Sequence, residues 1–214
     1  MSSTAESRPA RRSQAERSAS TREALVEATI ACLVEDGYAN TTTARVSERA
    51  GLSRGAHLHH FQTRQALLAA AMEHLAVRRG EVLLEAAAKL PPGPERLPER
   101  LDLLWEGYAS PLYQAALDLW THARTDPELR ERLEPVEREL DRQTLRVSRT
   151  LFGELAERPG FDRLIEMAHA TMRGLALLDT LHPGGGRNRR QWPNCRERLV
   201  EMFEATPNRQ EAKR

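Results

Sequence analysis

Cysteine is scarce in this sequence. Cys32 and Cys195 are the two present, far apart and outside any C-x-x-C spacing, so neither a zinc ribbon nor a disulfide framework is expected. Long apolar runs are missing as well. No stretch approaches the roughly 18 consecutive apolar residues of a membrane span. The opening MSSTAESRPARRSQAERSAS has no signal-peptide core. A soluble, cytoplasmic protein with no membrane partner is the expectation. Strand-period alternation and internal repeats are also absent, which leaves an all-α fold. A helical enzyme would need convergent polar groups. His122, His169 and Asp179 are scattered candidates, and none has the Glu-x-x-His spacing of a di-metal bundle. No catalytic residue, metal or cofactor is expected.

The charge that is present is unevenly spread. The first 65 residues carry nine arginines, no lysine and seven acids. Between Asn40 and Gln65 the one acid is Glu48, set against Arg45, Arg49, Arg54 and Arg64. That is a modest electrostatic footprint for a polyanion.

Residues 1–19 are rich in Ser, Ala and Arg and have little to bury, so a disordered basic arm is expected there. Order is expected to begin at STREALVEATIACLVEDGY. Ser20 and Glu23 have capping-box spacing, Leu25, Val26, Ile30 and Leu33 follow a helical repeat, and Gly37 supplies a stop. TTTARVSERAG predicts a short helix closed by Gly51. Ser53 then caps a third, very short helix, RGAHLHHFQ, and Thr63 caps a long fourth one. Two helices of about two turns joined by a glycine-containing turn are the ingredients of a helix-turn-helix.

Beyond this head, PPGPERLP (Pro91 to Pro98) is the clearest break, and the long fourth helix is expected to join two domains. Helical patterns then resume. Leu101, Leu104, Trp105 and Tyr108 fall at i, i+3, i+4, i+7, while Ser110-Pro111 and Asp126-Pro127 open further helices. Pro135 is expected to kink or split the second of these. The organisation expected is a head at 20–65, a larger helical domain at 66–206, and a disordered tail at 207–214.

Residues 22–75 carry a resemblance. Gly37-Tyr38, the threonine run, Ala50-Gly51-Leu52-Ser53, Arg54-Gly55, His60-Phe61 and the basic Arg64 match the tetracycline-repressor-type, or TetR, family of transcriptional regulators. The resemblance implies a homodimer, usually a repressor, whose head reads a palindromic double-stranded operator and whose second domain binds a releasing small molecule. Arg54 to Phe61 would be the recognition helix. Arg54 is the leading base reader, since a guanidinium can bond bidentately to guanine. Gly55 and Ala56 permit close approach, and the helix start at Ser53 suits a phosphate. Thr42, Thr43 and Arg64 are expected on phosphates, which position without specifying. His59 and His60 fit a groove-facing surface. An activator or a ligand-insensitive architectural factor would carry the same head.

One departure stands out. The family commonly has Leu-Tyr before its paired aromatic or histidine positions, and this chain has His57-Leu58. On a wheel at about 100° per residue, His57 lies about 40° from Phe61 and Leu58 about 60° from it on the other side. A slight roll would bury Leu58 and turn His57 toward DNA. As metal ligands the histidines are poorly equipped. His57 and His60 can share a side, but His59 diverges, and no Cys, Asp or Glu lies in that helix or its turn.

The resemblance further implies a dimer built from the last two long helices, about residues 162–181 and 191–204. The stripe Leu164, Ile165, Ala168, Met172, Leu175 and Leu178 is expected there. An effector pocket is expected among Trp105, Tyr108, Tyr113, Trp120, His122, Phe152 and Met167, a composition favouring a lipophilic or aromatic molecule.

Overall fold

The computed structural model describes residues 13–91, 93–180 and 188–206. Every regular element among the described residues is helical, as expected. The head comprises α1 (Gln14–Asn40), α2 (Thr43–Arg49), α3 (Arg54–His60) and the start of α4 (Arg64–Ala87). The body continues with α5 (Leu97–Tyr108), α6 (Pro111–Ala123), α7 (Pro127–Phe152), α8 (Phe161–Asp179) and α9 (Asn188–Glu204).

Local chemistry accounts for most of the helix starts. The hydroxyls of Thr42, Ser53, Thr63 and Ser110, and the carboxylate of Asp126, each accept a first-turn backbone N–H. α1 departs from expectation by starting at Gln14, within the stretch read as a disordered arm. Ser13 accepts from the Glu16 N–H at 3.1 Å and Glu16 accepts from the Ser13 N–H at 2.7 Å. This capping box, and not Ser20 with Glu23, opens the helix. Arg17 therefore lies on α1, while Arg8, Arg11 and Arg12 lie outside the described residues, as does the tail at 207–214. Gly37 adopts φ 73° and ends the regular run of α1 as its position suggested. Pro135 neither splits nor ends α7, which runs unbroken to Phe152. The ring sits on the exposed face, where water can satisfy the carbonyl that loses its partner.

Three apolar clusters hold the chain together. The head core joins Leu25, Val26, Cys32, Val46, Phe61 and Leu67. The body core joins Leu101, Leu104, Tyr108, Phe152, Phe161, Ile165 and Met172 with Trp192 and Phe203 of α9. Between them, Leu33 and Tyr38 of α1 and Leu68 and Met72 of α4 pack with Leu119 of α6 and Leu129 and Leu133 of α7. The seam is specific as well as apolar. Tyr38 stacks on His122 at 4.0 Å, and both Tyr38 and Gln65 donate to Asp126, at 3.4 and 3.2 Å. α4 belongs to both head and body, with Leu67 and Ala71 in the head core and Leu68 and Met72 in the seam.

Candidate DNA-binding surface and ligand cleft

α2 and α3 are each only seven residues long, too short to persist alone. Phe61 (5% exposed) and Val46 (0%) pin them to α1 and α4. That anchoring leaves the opposite side of α3 bare: Arg54, Gly55, Leu58 and His59 are exposed, and Ala56 and His60 partly so. The Ser53 hydroxyl is occupied by the Ala56 N–H at 3.2 Å. His59 and His60 meet edge to face at 5.2 Å. Burial, followed by the neighbouring His59 and Arg22, lowers the pKa of His60 from its ordinary value.

The arginines divide sharply. Arg45 pairs with Asp36 at 3.1 Å and Arg49 with Glu35. Arg64, expected on a phosphate, instead turns inward. It donates to the Thr41 carbonyl at 2.7 Å and to the Tyr38 carbonyl, and its guanidinium lies 4.1 Å from the Tyr38 ring centre. It satisfies carbonyls left open where α1 ends. Thr42 is exposed, but its hydroxyl caps α2, accepting from Arg45 N–H at 3.2 Å; Thr43 is half-buried. Arg54 alone of these makes no ion pair or side-chain hydrogen bond among the described residues, and it stands at the tip of α3.

His57 corrects the expected roll. It is 1% exposed, while Leu58 is 49% exposed. The cause lies on the neighbouring helix. Ser47 donates its one hydroxyl proton to the Thr43 carbonyl at 2.8 Å and meets His57 Nδ1 at 2.9 Å. Nδ1 must therefore carry the proton and donate to Ser47. Nε2 is left buried and without a partner among the described residues. Burial also lowers the pKa of His57, so the ring is neutral and faces the core. The surface residue that sequence reasoning missed is Leu58, placed outward because its neighbour found a polar partner ten residues upstream.

The expected pocket residues are dispersed. Tyr108, Phe152, Tyr113 and Trp105 are core, at 1, 1, 3 and 7% exposed, with Trp105 stacked on Trp192 at 5.1 Å. Trp120 is half-buried against Tyr113, His122 serves the seam, and Met167 is exposed. None of the seven borders the cleft between two of the body's long helices, α4 and α7. That cleft has α5 and α8 at its floor and holds about 40 Å³. Ala76, Arg79, Gly80 and Leu83 form one wall, Leu140, Gln143, Thr144, Val147 and Ser148 the other, and Leu104 and His169 the base. His169 bonds Tyr108 Oη through Nδ1 at 2.8 Å and Ser148 Oγ through Nε2 at 3.0 Å. Burial, helped by Arg79 and Arg173, pushes its pKa down to about 3.

The expected dimer stripe is likewise divided. Ile165, Ala168 and Met172 are 0% exposed and Leu175 is 8%, all facing their own core, with Leu164 half-buried. Leu178 is 48% exposed and stands with Met167, Leu177 and Met202 as uncovered apolar surface on α8 and α9.

An α2–turn–α3 unit on a helical base, with its second helix bare and tipped by an unpaired arginine, defines a helix-turn-helix DNA-binding protein. Comparison with known proteins narrows the class. Residues 25–71 match the model of the tetR family of bacterial regulatory proteins. The HTH-type transcriptional regulator CymR of Pseudomonas putida is 32% identical over 203 residues, covering 92% of this chain and 93% of its own. The HTH-type transcriptional repressor AcnR of Corynebacterium diphtheriae is 32% identical over 163 residues, 75% of this chain and 73% of its own. Among solved structures, multidrug binding protein EbrR complexed with imidazole superposes with a TM-score of 0.58 at 19% identity, covering 87% of this chain and 94% of that one. The chain belongs to the TetR family: it is a DNA-binding transcriptional regulator and not an enzyme. No described helix is long and apolar enough to cross a membrane.

Proposed function

We propose that the protein is a homodimeric repressor that grips a palindromic operator through two copies of α3 and lets go when a small molecule enters the α4–α7 cleft. The observation that carries the operator half is the bare α3 face with Arg54 unpaired at its tip. Arg54 is assigned to a base edge, Leu58 and Ala56 to apolar contacts such as a thymine methyl, and His59 and His60 to polar contacts in the groove. Thr42 and Thr43 lie beside this face and are assigned to the sugar–phosphate backbone. Arg64 acts from within, bracing the end of α1, and His57 lies buried behind the exposed face of α3.

The dimer half rests on α8. Met167, Ala170, Gly174, Leu177 and Leu178 recur at i, i+3, i+7 and i+10/11, all exposed, and a side chain at Gly174 would meet nothing within 4 Å. A small-residue stripe flanked by large apolar side chains suits close packing against its two-fold copy. AcnR is named a repressor and EbrR was solved with a ligand, which favours repression relieved by a ligand. The apolar cleft walls Leu83, Leu104, Leu140 and Val147 favour an effector with a lipophilic body.

Fluorescence anisotropy on operator DNA from the gene's own upstream region tests this reading. Arg54→Ala should weaken specific binding by about 1–3 kcal/mol per half-site and relax preference at one base pair in each. Unchanged specificity would remove Arg54 from base reading. A reporter expressed more strongly in the protein's presence than in its absence would make it an activator.

A further inference from the structure

The effector cleft carries one formal charge among its lining residues, and that charge has no counter-ion among the described residues. Among its lining residues the titratable groups are Arg79 and His169. His169 is neutral and has both nitrogens engaged, by Tyr108 and Ser148. Arg79 makes no ion pair or hydrogen bond among the described residues. It is held instead by stacking, its guanidinium 4.3 Å from the Tyr108 ring centre and 5.6 Å from that of Tyr113. The nearby carboxylates serve another arginine: Asp141 pairs with Arg173 at 3.1 Å, and Glu137 lies 4.0 Å from the same guanidinium. Gly107 makes room for this pose, since a Cβ there would come within 3.1 Å of Arg79 Nε. A guanidinium stacked by its face keeps its N–H edge available, in the fork geometry that matches a carboxylate.

We propose that the α4–α7 cleft takes a small monocarboxylate, its carboxylate on the Arg79 edge and its apolar body against Leu83, Leu104, Leu140 and Val147. This rests on the effector reading above and gives it a ligand class. One cation suits a monoanion; a phosphate ester would bring a second charge with nothing to meet it. The neutral Thr144 hydroxyl on the opposite wall adds polarity without charge. Size supplies the link to DNA. At about 40 Å³ the cleft has room for the carboxylate and little more. A larger body must part α4 from α7, and α4 opens in the head, where Arg64 braces the end of α1.

The test is calorimetric titration of the full-length protein with acids graded in size from propionate through benzoate to naphthoate. Benzamide, benzylamine and phenyl phosphate serve as neutral, cationic and dianionic counterparts, and operator anisotropy is read in parallel. At least one acid should bind, with its matched amide, amine and phosphate at least tenfold weaker. Arg79→Gln should cost that acid at least tenfold while leaving ligand-free operator affinity within twofold. The matched-ligand series in the unaltered protein decides the question even if Arg79→Gln destabilises the body. Failure of every acid to bind, equal binding of acid and amide, or an unaffected Arg79→Gln overturns the carboxylate assignment. The effector reading is tested separately by Gly80→Leu, which places a wedge where Val147 lies 3.5 Å from a Cβ on Gly80. This variant should weaken operator binding at least fivefold without ligand. If it does while no acid binds, the effector cleft stands and the carboxylate falls. If acids bind through Arg79 but neither they nor Gly80→Leu alter operator affinity, the anion site stands and the effector reading falls.

Discussion

Among the described residues head and body each bury one histidine, and the two are held in opposite ways. His169 sits between α5, α7 and α8 with both nitrogens satisfied, by Tyr108 and Ser148. His57 has one partner, Ser47, and an orphan Nε2. Both are uncharged for the same reason, desolvation. Satisfied on both sides, His169 ties three helices at the base of the cleft. His57 is just as deeply buried and has a single side-chain hydrogen bond to set against the cost of burying it. An unpaired buried acceptor costs about 1–3 kcal/mol, and a satisfied one is close to neutral or better. The body's polar centre is thus structural, and the head's is a tolerated expense beside the DNA-reading face.

Replacing the body histidine should have the largest effect. His169→Leu leaves the Tyr108 and Ser148 hydroxyls buried without their partner, so a loss of about 2–4 kcal/mol in chemical denaturation is expected. A loss below about 1 kcal/mol would mean the two hydroxyls find other partners and the comparison fails. Acid should act through the same residue. The folded-state pKa of His169, about 3, lies below the ordinary 6.5. The unfolded chain therefore binds the proton first, and stability is lost as pH falls below about 6.5. Between pH 7 and 5 His169 alone should cost about 2 kcal/mol, and His169→Leu should remove that slope. His57 adds to the loss in the same direction.

How much of this was legible beforehand depended on the range of the interaction that decides each feature. Ser53, Thr63, Ser110 and Asp126 announce helix starts because a cap acts within three residues. The helix-turn-helix and its family follow from a short continuous stretch. Structure departs from the local pattern where the deciding partner lies on another element. His57 is drawn inward by Ser47 on another helix, and Arg64 is claimed by carbonyls of Tyr38 and Thr41 more than twenty residues upstream. The α8 stripe falls along one side of the helix in sequence, but Ile165 and Met172 join the body core while Met167 and Leu178 are exposed. The cleft is lined by Ala76, Gly80, aliphatic side chains and a few polar ones such as Arg79, Gln143 and Thr144, and no Phe, Tyr or Trp marks it. Even a local cue misled once: Ser20 and Glu23 have capping-box spacing, yet the box that forms is Ser13 with Glu16.

Within the head, Arg54 and Arg64 extend the comparison to charge. If Arg64 is an internal strut, Arg64→Gln should destabilise by about 1–2 kcal/mol through the uncapped carbonyls. The salt dependence of operator binding should stay unchanged. A phosphate contact predicts the reverse, a slope in log Kd against log salt smaller by about one per site with little loss of stability. Anisotropy from low to moderate salt, beside urea melts, separates the two.

The smallest effect expected is also the most diagnostic. His57→Leu fills the same space, removes the orphan acceptor and leaves Ser47 bonded to Thr43. A gain of roughly 0.5–1.5 kcal/mol is expected, set by the removed desolvation cost and offset by the lost Ser47 bond. Operator affinity should stay within twofold, because Leu58 and not His57 occupies the outward position. The variant should also be less sensitive to acid, since a neutral side chain cannot be protonated on unfolding. A loss of operator binding without loss of stability would return His57 to the groove and reopen the roll of α3. A loss of stability would give Nε2 a partner, such as a buried water, and the head's histidine would then be as well satisfied as the body's.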